Sequence, residues 1–196
     1  MRLFALVLAT LLATPLSAQT PQEVAALYAR EIAPLPPLPP IALAALVAAE
    51  DRAFFDRATG LSPITAQVTQ ILNFPGWGLM RLPYQALVAN ALSHDEILSL
   101  YANRVFFGLG CFGLRDAARA YYGKVPDDLT LAESAFLAAL PRSPAHFNPE
   151  RVPDKARARR DFVLGEMAKS GAISSEDAAA ARAAPLTHQT PLARCR

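Results

Sequence analysis

The fold class is indicated most clearly by a helix with an explicit start signal, Ser93-His94-Asp95-Glu96-Ile97-Leu98-Ser99-Leu100-Tyr101-Ala102-Asn103-Arg104. Ser93 followed three residues later by Glu96 forms a capping box, in which each side chain satisfies a backbone N–H at the start of the helix. The same signal recurs in Thr130-Leu131-Ala132-Glu133, which opens a helix predicted to run to Leu140. Both boxes predict helices in the second half of the chain.

Further helices are predicted on both sides of this segment. Prolines or glycines mark the ends of helix-forming stretches in the segments 21–30, 41–55, 84–92, 114–122, 154–171 and 176–184. The segment 62–72 mixes apolar and polar residues and does not decide between helix and loop. No segment alternates apolar and polar residues with the period of a strand over several residues, so the sequence predicts an all-α fold.

The composition indicates one globular domain and no strongly basic surface of the kind that binds polyanions. The chain has 196 residues, of which 53% are hydrophobic, and a formal net charge of +2. This length suits one domain, and the charge is far from the basic footprint of a nucleic-acid-binding protein. We therefore expect no nucleic-acid partner.

Residues 1–18 have the pattern of an export signal. Arg2 precedes a short apolar run, which ends with the helix-breaking Pro15 and the small Ala18. Leu16 is not the small residue expected near a cleavage site, so a short membrane anchor is the alternative. Residues 19–40 form a proline-rich lead-in. Either interpretation places the domain outside the cytoplasm.

The cysteines and histidines do not indicate a metal site. Cys111 and Cys195 are too few for a disulfide scaffold or a zinc site, although they could pair in an oxidising compartment. The sequence does not show whether the two meet. No two histidines lie four residues apart, which is the spacing that would place both on one face of a helix.

Chemistry is indicated by an acidic pair at the end of an apolar run, Val47-Ala48-Ala49-Glu50-Asp51-Arg52-Ala53-Phe54-Phe55. A carboxylate half-embedded in apolar surroundings has a raised pKa, which suits general acid or base catalysis. Glu50 is therefore a candidate catalytic residue, and a buried salt bridge to an arginine is the alternative. Asp51 could cap the helix, pair with Arg52 or take part in the chemistry.

Other polar motifs have structural explanations. Glu133 occupies the third position of a capping box, and Arg157, Arg159 and Arg160 are predicted to line a solvated helix face, with anion binding as the alternative. Gly108-Leu109-Gly110-Cys111-Phe112-Gly113 matches the dinucleotide pattern G-x-G-x-x-G, but that pattern requires a preceding strand. A helix is predicted there, so we expect a tight bend between two helices.

Taken in order, several motifs resemble those of the family 51 glycosyltransferases, the peptidoglycan polymerases that join lipid II units. Ala48 to Phe54 matches the family's Ala-x-Glu-Asp-x-x-Phe, and Ser62-Pro63-Ile64-Thr65-Ala66-Gln67 keeps four positions of its Ser-Thr-Ile-Thr-Gln-Gln. The match continues, from about Leu38 to Ala184, through Ser93 to Asn103, Phe107-Gly108, Tyr121-Tyr122-Gly123-Lys124, Leu129 to Ala135, Leu140 to Pro144 and Phe147-Asn148-Pro149.

The resemblance implies a lysozyme-like helical fold with a small lobe that faces the membrane. It implies that Glu50 deprotonates the acceptor sugar hydroxyl, which attacks the donor's anomeric carbon with inversion and displaces a lipid pyrophosphate. That leaving group calls for cationic charge or a divalent metal, Mg²⁺ or Mn²⁺. The implied catalytic residues are Glu50 and Asp51, and the implied substrate-binding residues are Ser62, Thr65, Gln67, Arg81, Gln85 and Asn103.

The chain departs from the family pattern where a second glutamate belongs. Arg81-Leu82-Pro83-Tyr84-Gln85 is the nearest match, and depending on the register it places Gln85 or Arg81 at that position. Residues 57–94 contain no aspartate or glutamate, and Gln70 lies near the position of a family lysine. The family's long connection between its first two motifs is almost absent here, because Gly60 runs nearly straight into Ser62. This predicts a reduced small lobe.

Three hypotheses follow. The first is a peptidoglycan glycosyltransferase with Glu50 as its general base. The second is an inactive family member that binds lipid II or glycan strands as a scaffold of cell-wall assembly, and the third is a lytic enzyme that cuts glycan strands. The expected partners are lipid II, glycan strands, the membrane surface and cell-wall synthesis proteins, in the periplasm or on the outer face of a bacterial inner membrane. The family-like domain is predicted to span residues 41–184, followed by a tail, 185–196.

Overall fold

The computed structural model describes residues 20–76 and 78–195. These ranges contain nine α-helices and one two-stranded hairpin, so the predicted all-α fold is confirmed. The helices are α1 (Pro21–Glu31), α2 (Pro40–Glu50), α3 (Pro63–Ile71), α4 (Leu82–Ala91), α5 (His94–Arg104), α6 (Leu114–Tyr122), α7 (Leu131–Ala139), α8 (Pro153–Lys169) and α9 (Ser175–Ala183), and the strands are β1 (Phe106–Gly108) and β2 (Cys111–Phe112).

Helix α7 forms the centre of the core. Every residue from Ala132 to Ala139 is buried, and the helix packs against α2 on one side and α8 on the other. The small alanines of α2 and α7 allow the two helices to approach closely, so the last residue of α2 lies beside the most buried helix of the molecule. Helix α3 packs against α5 and α4 and forms the other wall around the end of α2.

The predicted capping boxes are present. The Ser93 and Thr130 hydroxyls accept hydrogen bonds from the N–H groups of Glu96 and Glu133, and both glutamates bond back to the capping backbone. Ser174 caps α9 in the same way through Asp177. These caps are local interactions, which explains why the sequence predicts the starts of these helices correctly.

Two segments differ from the sequence predictions or complete them. The helix predicted to reach Phe55 ends at Glu50, because Asp51 leaves helical geometry at φ −157° and ψ 86° and the chain turns to bury Phe54. The undecided segment 62–72 forms α3, with Ser62 as its N-cap and Pro63 at its first position. Both changes place polar side chains beside the end of α2.

The glycine-rich stretch forms the β1–β2 hairpin. Phe106 pairs with Phe112, and Gly108 pairs with Cys111. Gly113 has φ 87°, and a Cβ there would lie 2.4 Å from the Asn103 carbonyl oxygen. The expected tight bend is therefore confirmed, although a short strand, β1, precedes it. The described ranges contain no βαβ unit for a dinucleotide around it, because β1 pairs only with β2, in antiparallel orientation.

The tail packs along α6 and the hairpin. Gln189 N–H donates to the Tyr121 carbonyl at 2.8 Å, and Cys195 N–H donates to the Leu109 carbonyl at 3.0 Å. Cys111 and Cys195 form a disulfide. Within residues 20–76 and 78–195, no helix is both long and apolar enough to cross a bilayer; the predicted signal or anchor, residues 1–18, lies outside the described ranges.

Candidate active site

Glu50 is the last residue of α2 and is half-buried. The Gln67 side-chain amide, on α3, donates to one carboxylate oxygen, Glu50 Oε2, at 2.8 Å. The other oxygen, Oε1, is buried and has no hydrogen-bond partner. One oxygen is thus held by the protein, and the other is buried without a hydrogen-bond partner in the protein.

Burial is the main cause that raises the pKa of Glu50 above its ordinary value of 4.5. The Gln67 hydrogen bond and the positive charges of Arg142 and Arg159 oppose this rise, because each favours the ionised carboxylate. The net effect is a stronger base than a free glutamate. This property matches the sequence-based expectation for a carboxylate in apolar surroundings.

Tyr101 lies beneath this pair. It is fully buried, and its hydroxyl donates to the Gln67 side-chain oxygen at 3.5 Å. Burial raises the pKa of Tyr101 well above its ordinary value, and the negative charge of Glu50 adds to the rise. A phenol that keeps its proton can only donate to the Gln67 oxygen, which turns the amide N–H towards Glu50.

Arg142 was not singled out from the sequence, and for Arg159 anion binding was only the alternative, yet both lie within charge-interaction range of Glu50. Burial and repulsion from Arg142 lower the pKa of Arg159, whereas attraction to Glu50 raises it, so the three charges lie within interaction range. Arg159 Nε and Nη2 are buried without a partner, and the guanidinium stacks 4.7 Å from the Phe162 ring centroid. A guanidinium group binds carboxylate or phosphate oxygens through such N–H donors.

The prediction of one solvated arginine face on α8 is correct only for Arg157. Arg157 is exposed and lies 3.9 Å from Asp154. Arg159 turns inward, and Arg160 has no exposed surface because it donates to the carbonyls of Ala184 and Arg182. The adjacent pair Arg159-Arg160, on a helix that follows a Phe-Asn-Pro turn, was the only signal in the sequence for this arrangement.

Three other predicted site residues lie around the end of α2. Asp51 is buried at 5% exposure, and its Oδ1 lies 3.2 Å from Arg57 Nη2. Ser62 accepts a hydrogen bond from Ile64 N–H, which is the work of an N-cap. Thr65 is fully buried, and its hydroxyl has no partner.

The remaining predicted residues have local contacts. Arg81 donates from Nε to the Gly76 carbonyl at 2.7 Å, and Gln85 is buried at 8% exposure on α4. Asn103 donates to the Ser99 carbonyl, one turn back on α5. None of these bonds reaches Glu50. Glu133, the other carboxylate considered, completes its capping box and binds Lys124 at 2.8 Å.

Among residues 20–76 and 78–195, no second carboxylate shifts the pKa of Glu50. Asp56 and Asp95, the two acids that a shortened loop could have brought round, line a separate cavity of about 420 Å³ with Leu43, Val47 and Phe55. The described residues also contain no group of three or more His, Cys, Asp or Glu side chains able to hold a metal ion.

Residues 56–168 match the family model described as Transglycosylase. That match covers more than half of the chain, and the chain therefore belongs to the transglycosylase family. The match begins six residues after Glu50, so the assignment of Glu50 depends on its own motif and geometry.

Related proteins include penicillin-binding protein 1A of Rickettsia felis, 39% identical over 135 residues, or 66% of this chain and 17% of that protein. A putative transglycosylase of Cupriavidus necator is 48% identical over 87 residues, which are 44% of this chain and 38% of the relative. The crystal structure of penicillin-binding protein 1A from Haemophilus influenzae superposes with a TM-score of 0.54 at 28% identity, over 78% of this chain and 17% of that one. The chain thus spans well under half the length of these relatives.

Proposed function

We propose that this protein is a peptidoglycan glycosyltransferase that polymerises lipid II, with Glu50 as its general base. The observation that carries the proposal is the carboxylate of Glu50 itself. Its pKa is raised by burial, Gln67 holds one of its oxygens, and its other oxygen has no partner. A raised pKa and a carboxylate positioned by Gln67 suit general-base catalysis, which requires the acceptor hydroxyl to come within hydrogen-bond reach of Glu50.

In the proposed step, the Glu50 carboxylate takes the proton of the acceptor sugar hydroxyl. The acceptor oxygen attacks the donor's anomeric carbon from the face opposite the lipid pyrophosphate, and a new glycosidic bond forms as the bond to the pyrophosphate breaks. The electron pair leaves with the pyrophosphate, so the configuration at the anomeric carbon is inverted. Gln67 keeps the carboxylate in position throughout, and Asp51 with its partner Arg57 holds the turn that ends α2.

The negative charge of the substrate's pyrophosphate must be balanced by positively charged groups, and Arg142 and Arg159 supply that positive charge. The unpartnered Nε and Nη2 of Arg159 can donate to a phosphate oxygen in the fork geometry that guanidinium groups favour. Arg81 or Gln85 would help to hold the pyrophosphate, and Asn103 would contact the substrate, whereas the buried Ser62 and Thr65 would act only through the position of α3. These roles come from the family resemblance, and no step is routed through a metal.

Exposed apolar side chains support a membrane-facing small lobe. Two of these side chains, Leu79 and Met80, are 81% and 64% exposed on the short helix Gly78–Arg81, which precedes α4. Leu82, the first residue of α4, is 40% exposed, and Leu61, just before α3, is 67% exposed. Clustered apolar side chains on a polar surface mark contact with a membrane or a partner. We propose that this face meets the outer surface of the inner membrane, where the lipid-linked substrate lies.

The test is polymerisation of purified lipid II in the presence of Mg²⁺ or Mn²⁺. We expect the wild type to form glycan strands, E50Q to form none, and E176Q, which changes an exposed glutamate on α9, to match the wild type. Wild-type protein without any polymerisation under these conditions would overturn the proposal. Release of soluble muropeptides from purified sacculi would instead identify a lytic enzyme.

A specific observation favours a second function, a non-catalytic scaffold that binds lipid II or glycan. Residues 57–94 contain no carboxylate for the second acidic position, and general acid–base assistance contributes about 10²–10⁴-fold to rate. This alternative predicts that lipid II binding persists in E50Q and that neither form turns over. Polymerisation by the wild type that E50Q abolishes would exclude it.

A further inference from the structure

A turn of residues 51–57, which we call the exit turn, follows Glu50 directly. Within it, Asp51 Oδ1 lies 3.2 Å from Arg57 Nη2, and Phe54 N–H donates to the Asp51 carbonyl at 2.9 Å. Because these contacts lie inside the turn, it moves as one unit. A shift of the exit turn therefore carries the end of α2, and with it the Glu50 side chain.

His94 joins the exit turn to α5. Its ring nitrogen Nε2 lies 3.0 Å from the carbonyl oxygen of Arg57, the last residue of the turn. A carbonyl oxygen can only accept, so Nε2 carries the proton and donates. His94 is the first residue of α5, and the bond connects positions that are 37 apart in sequence. The exit turn is thus held at its far end by a second helix.

The His94 ring also packs against two aromatic rings of the exit turn. Its centroid lies 5.1 Å from that of Phe54, in an edge-on arrangement, and 5.8 Å from that of Phe55. Phe54 is fully buried, whereas Phe55 is exposed. His94 therefore makes two contacts that substitutions can separate, a directional hydrogen bond and an apolar ring contact.

Helix α5 consequently contacts the surroundings of Glu50 at two points. Tyr101 lies on the same helix as His94, about 10 Å further along its axis. Its hydroxyl donates to Gln67, and Gln67 donates to the Glu50 carboxylate. One helix thus holds both the backbone turn behind the candidate base, through His94, and the carboxylate itself, through Gln67.

The exit turn has a further connection, to α8. Arg52 Nη1 lies 2.7 Å from Glu166 Oε2, but more than half of the Arg52 side chain is exposed, and Glu166 also pairs with Lys169. Water and salt screen an ion pair with an exposed partner, so it holds geometry weakly. The His94 contact is directional and packs on a fully buried ring, and we expect it to hold the turn more firmly.

We propose that His94 is a positioning residue of the glycosyltransferase site, which holds the exit turn through the Arg57 carbonyl and thereby holds Glu50 where the acceptor hydroxyl arrives. This inference rests on the proposed function for the nature of the reaction. His94 acts through Arg57 and Asp51, and not on the substrate.

Two substitutions separate the hydrogen bond from the ring contact. H94Q keeps an amide N–H donor and removes the ring, whereas H94F keeps a ring and removes the donor. In the full chain, we expect H94F to lower kcat for lipid II about tenfold at unchanged KM, because the base is displaced while substrate binding is not. H94Q should stay within about twofold of the wild type. H188F, which removes the contact of His188 with the Gln189 carbonyl in the tail, is the matched control.

A second readout does not depend on turnover. In protein labelled with carbon-13 at the glutamate carboxyl groups, the Glu50 signal is the one that E50Q lacks, and its titration gives the pKa of Glu50. Burial is the main cause that raises this pKa, and a loosened exit turn admits water. H94F is therefore expected to move the pKa of Glu50 down towards 4.5, whereas H94Q and H188F leave it unchanged. Arg142 and Arg159, which oppose the rise, are present in every variant.

The outcomes separate this role from the proposed function. A Glu50 pKa that falls in H94F but not in H94Q supports the positioning role even if lipid II is not polymerised. An unchanged pKa in H94F, or an equal fall in H94F and H94Q or in H94F and H188F, overturns it whatever the activity. If the wild type polymerises lipid II, a loss in H94F that is confined to KM also overturns it. Unfolding temperatures close to that of the wild type show that the variants fold.

Discussion

At the scale of single residues, the chemistry of Glu50 follows from its unequal oxygens and its burial. An ionised glutamate is needed to accept a proton, and burial raises the pKa of Glu50. We therefore expect the acidic limb of the kcat/KM profile for lipid II to have its midpoint above pH 4.5, the ordinary value of this carboxyl group. Polymerisation rates between pH 4 and 8 measure this, and a midpoint at or below 4.5 would contradict the role given to burial.

Burial of the ionised Glu50 carboxylate also lowers the stability of the folded protein at neutral pH. Because its pKa is raised in the folded state, the folded protein binds this proton more tightly than the unfolded chain. The stability gained from this proton is fully present at a pH below the pKa of Glu50 in the unfolded chain. It is lost as the pH rises through the higher pKa of Glu50 in the folded protein. E50Q is thus expected to raise the free energy of unfolding at pH 7 by about 0.5–2 kcal/mol, with a smaller difference near pH 4. Urea unfolding at both pH values tests this, and E176Q is the control.

The anion-binding role of Arg159 gives a second residue-scale prediction. Loss of a hydrogen bond to a charged group costs about 1.5–3 kcal/mol, so R159A is expected to lower kcat/KM for lipid II by about 10–100-fold. Its thermal stability should not fall in proportion, because Nε and Nη2 of Arg159 have no protein partner. R157A changes an exposed arginine of the same helix and should behave as the wild type. Equal activity of R159A and R157A would remove Arg159 from the site.

At the scale of elements, the connection between α5 and α6 depends on one glycine. Gly113 has φ 87°, and a Cβ at this position would lie 2.4 Å from the Asn103 carbonyl oxygen, which belongs to the backbone and cannot rotate away. G113A therefore combines a strained dihedral with a collision, and we expect it to destabilise the protein by about 2–4 kcal/mol.

Gly171 is the matched control for Gly113. It also has positive φ, 76°, but no atom lies within 4 Å of its would-be Cβ. G171A should therefore show the dihedral cost alone, about 1 kcal/mol. Thermal unfolding of both variants measures the difference, and equal losses would show that the Asn103 contact has no effect.

At the scale of the whole molecule, the tail is joined to the domain at both ends. Arg160 on α8 holds the carbonyls of Arg182 and Ala184, and the disulfide joins Cys195 to the hairpin. These contacts connect elements that are distant in sequence, and the disulfide fixes the end of the tail to the hairpin.

The disulfide closes a loop between residues 84 positions apart. In the chain-entropy model, a crosslink of this length stabilises the folded state by about 4–5 kcal/mol. The double variant C111S/C195S is expected to unfold at a correspondingly lower denaturant concentration, and a reducing agent should lower the stability of the wild type to the same level. The reducing agent should leave the double variant unchanged, and a similar loss in both proteins would contradict a disulfide origin.

Much of the fold could be predicted because the signals are local. The Ser93, Thr130 and Ser174 caps and the left-handed Gly123 at the end of α6 involve residues within a few positions of one another. Short-range hydrogen bonds form whatever the rest of the chain does, so sequence patterns report them reliably. Glu50 was also identified from its apolar neighbours.

The sequence by itself therefore determined the all-α class, most helix limits and the candidate base. Only the tertiary structure decided the end of α2 at Glu50, the pairing of Cys111 with Cys195 and the inward turn of Arg159. The physical reason is that burial and charge interactions depend on residues brought together from distant parts of the chain. Gln67 and Arg159 act on Glu50 across 17 and 109 positions, and no local pattern encodes such distances.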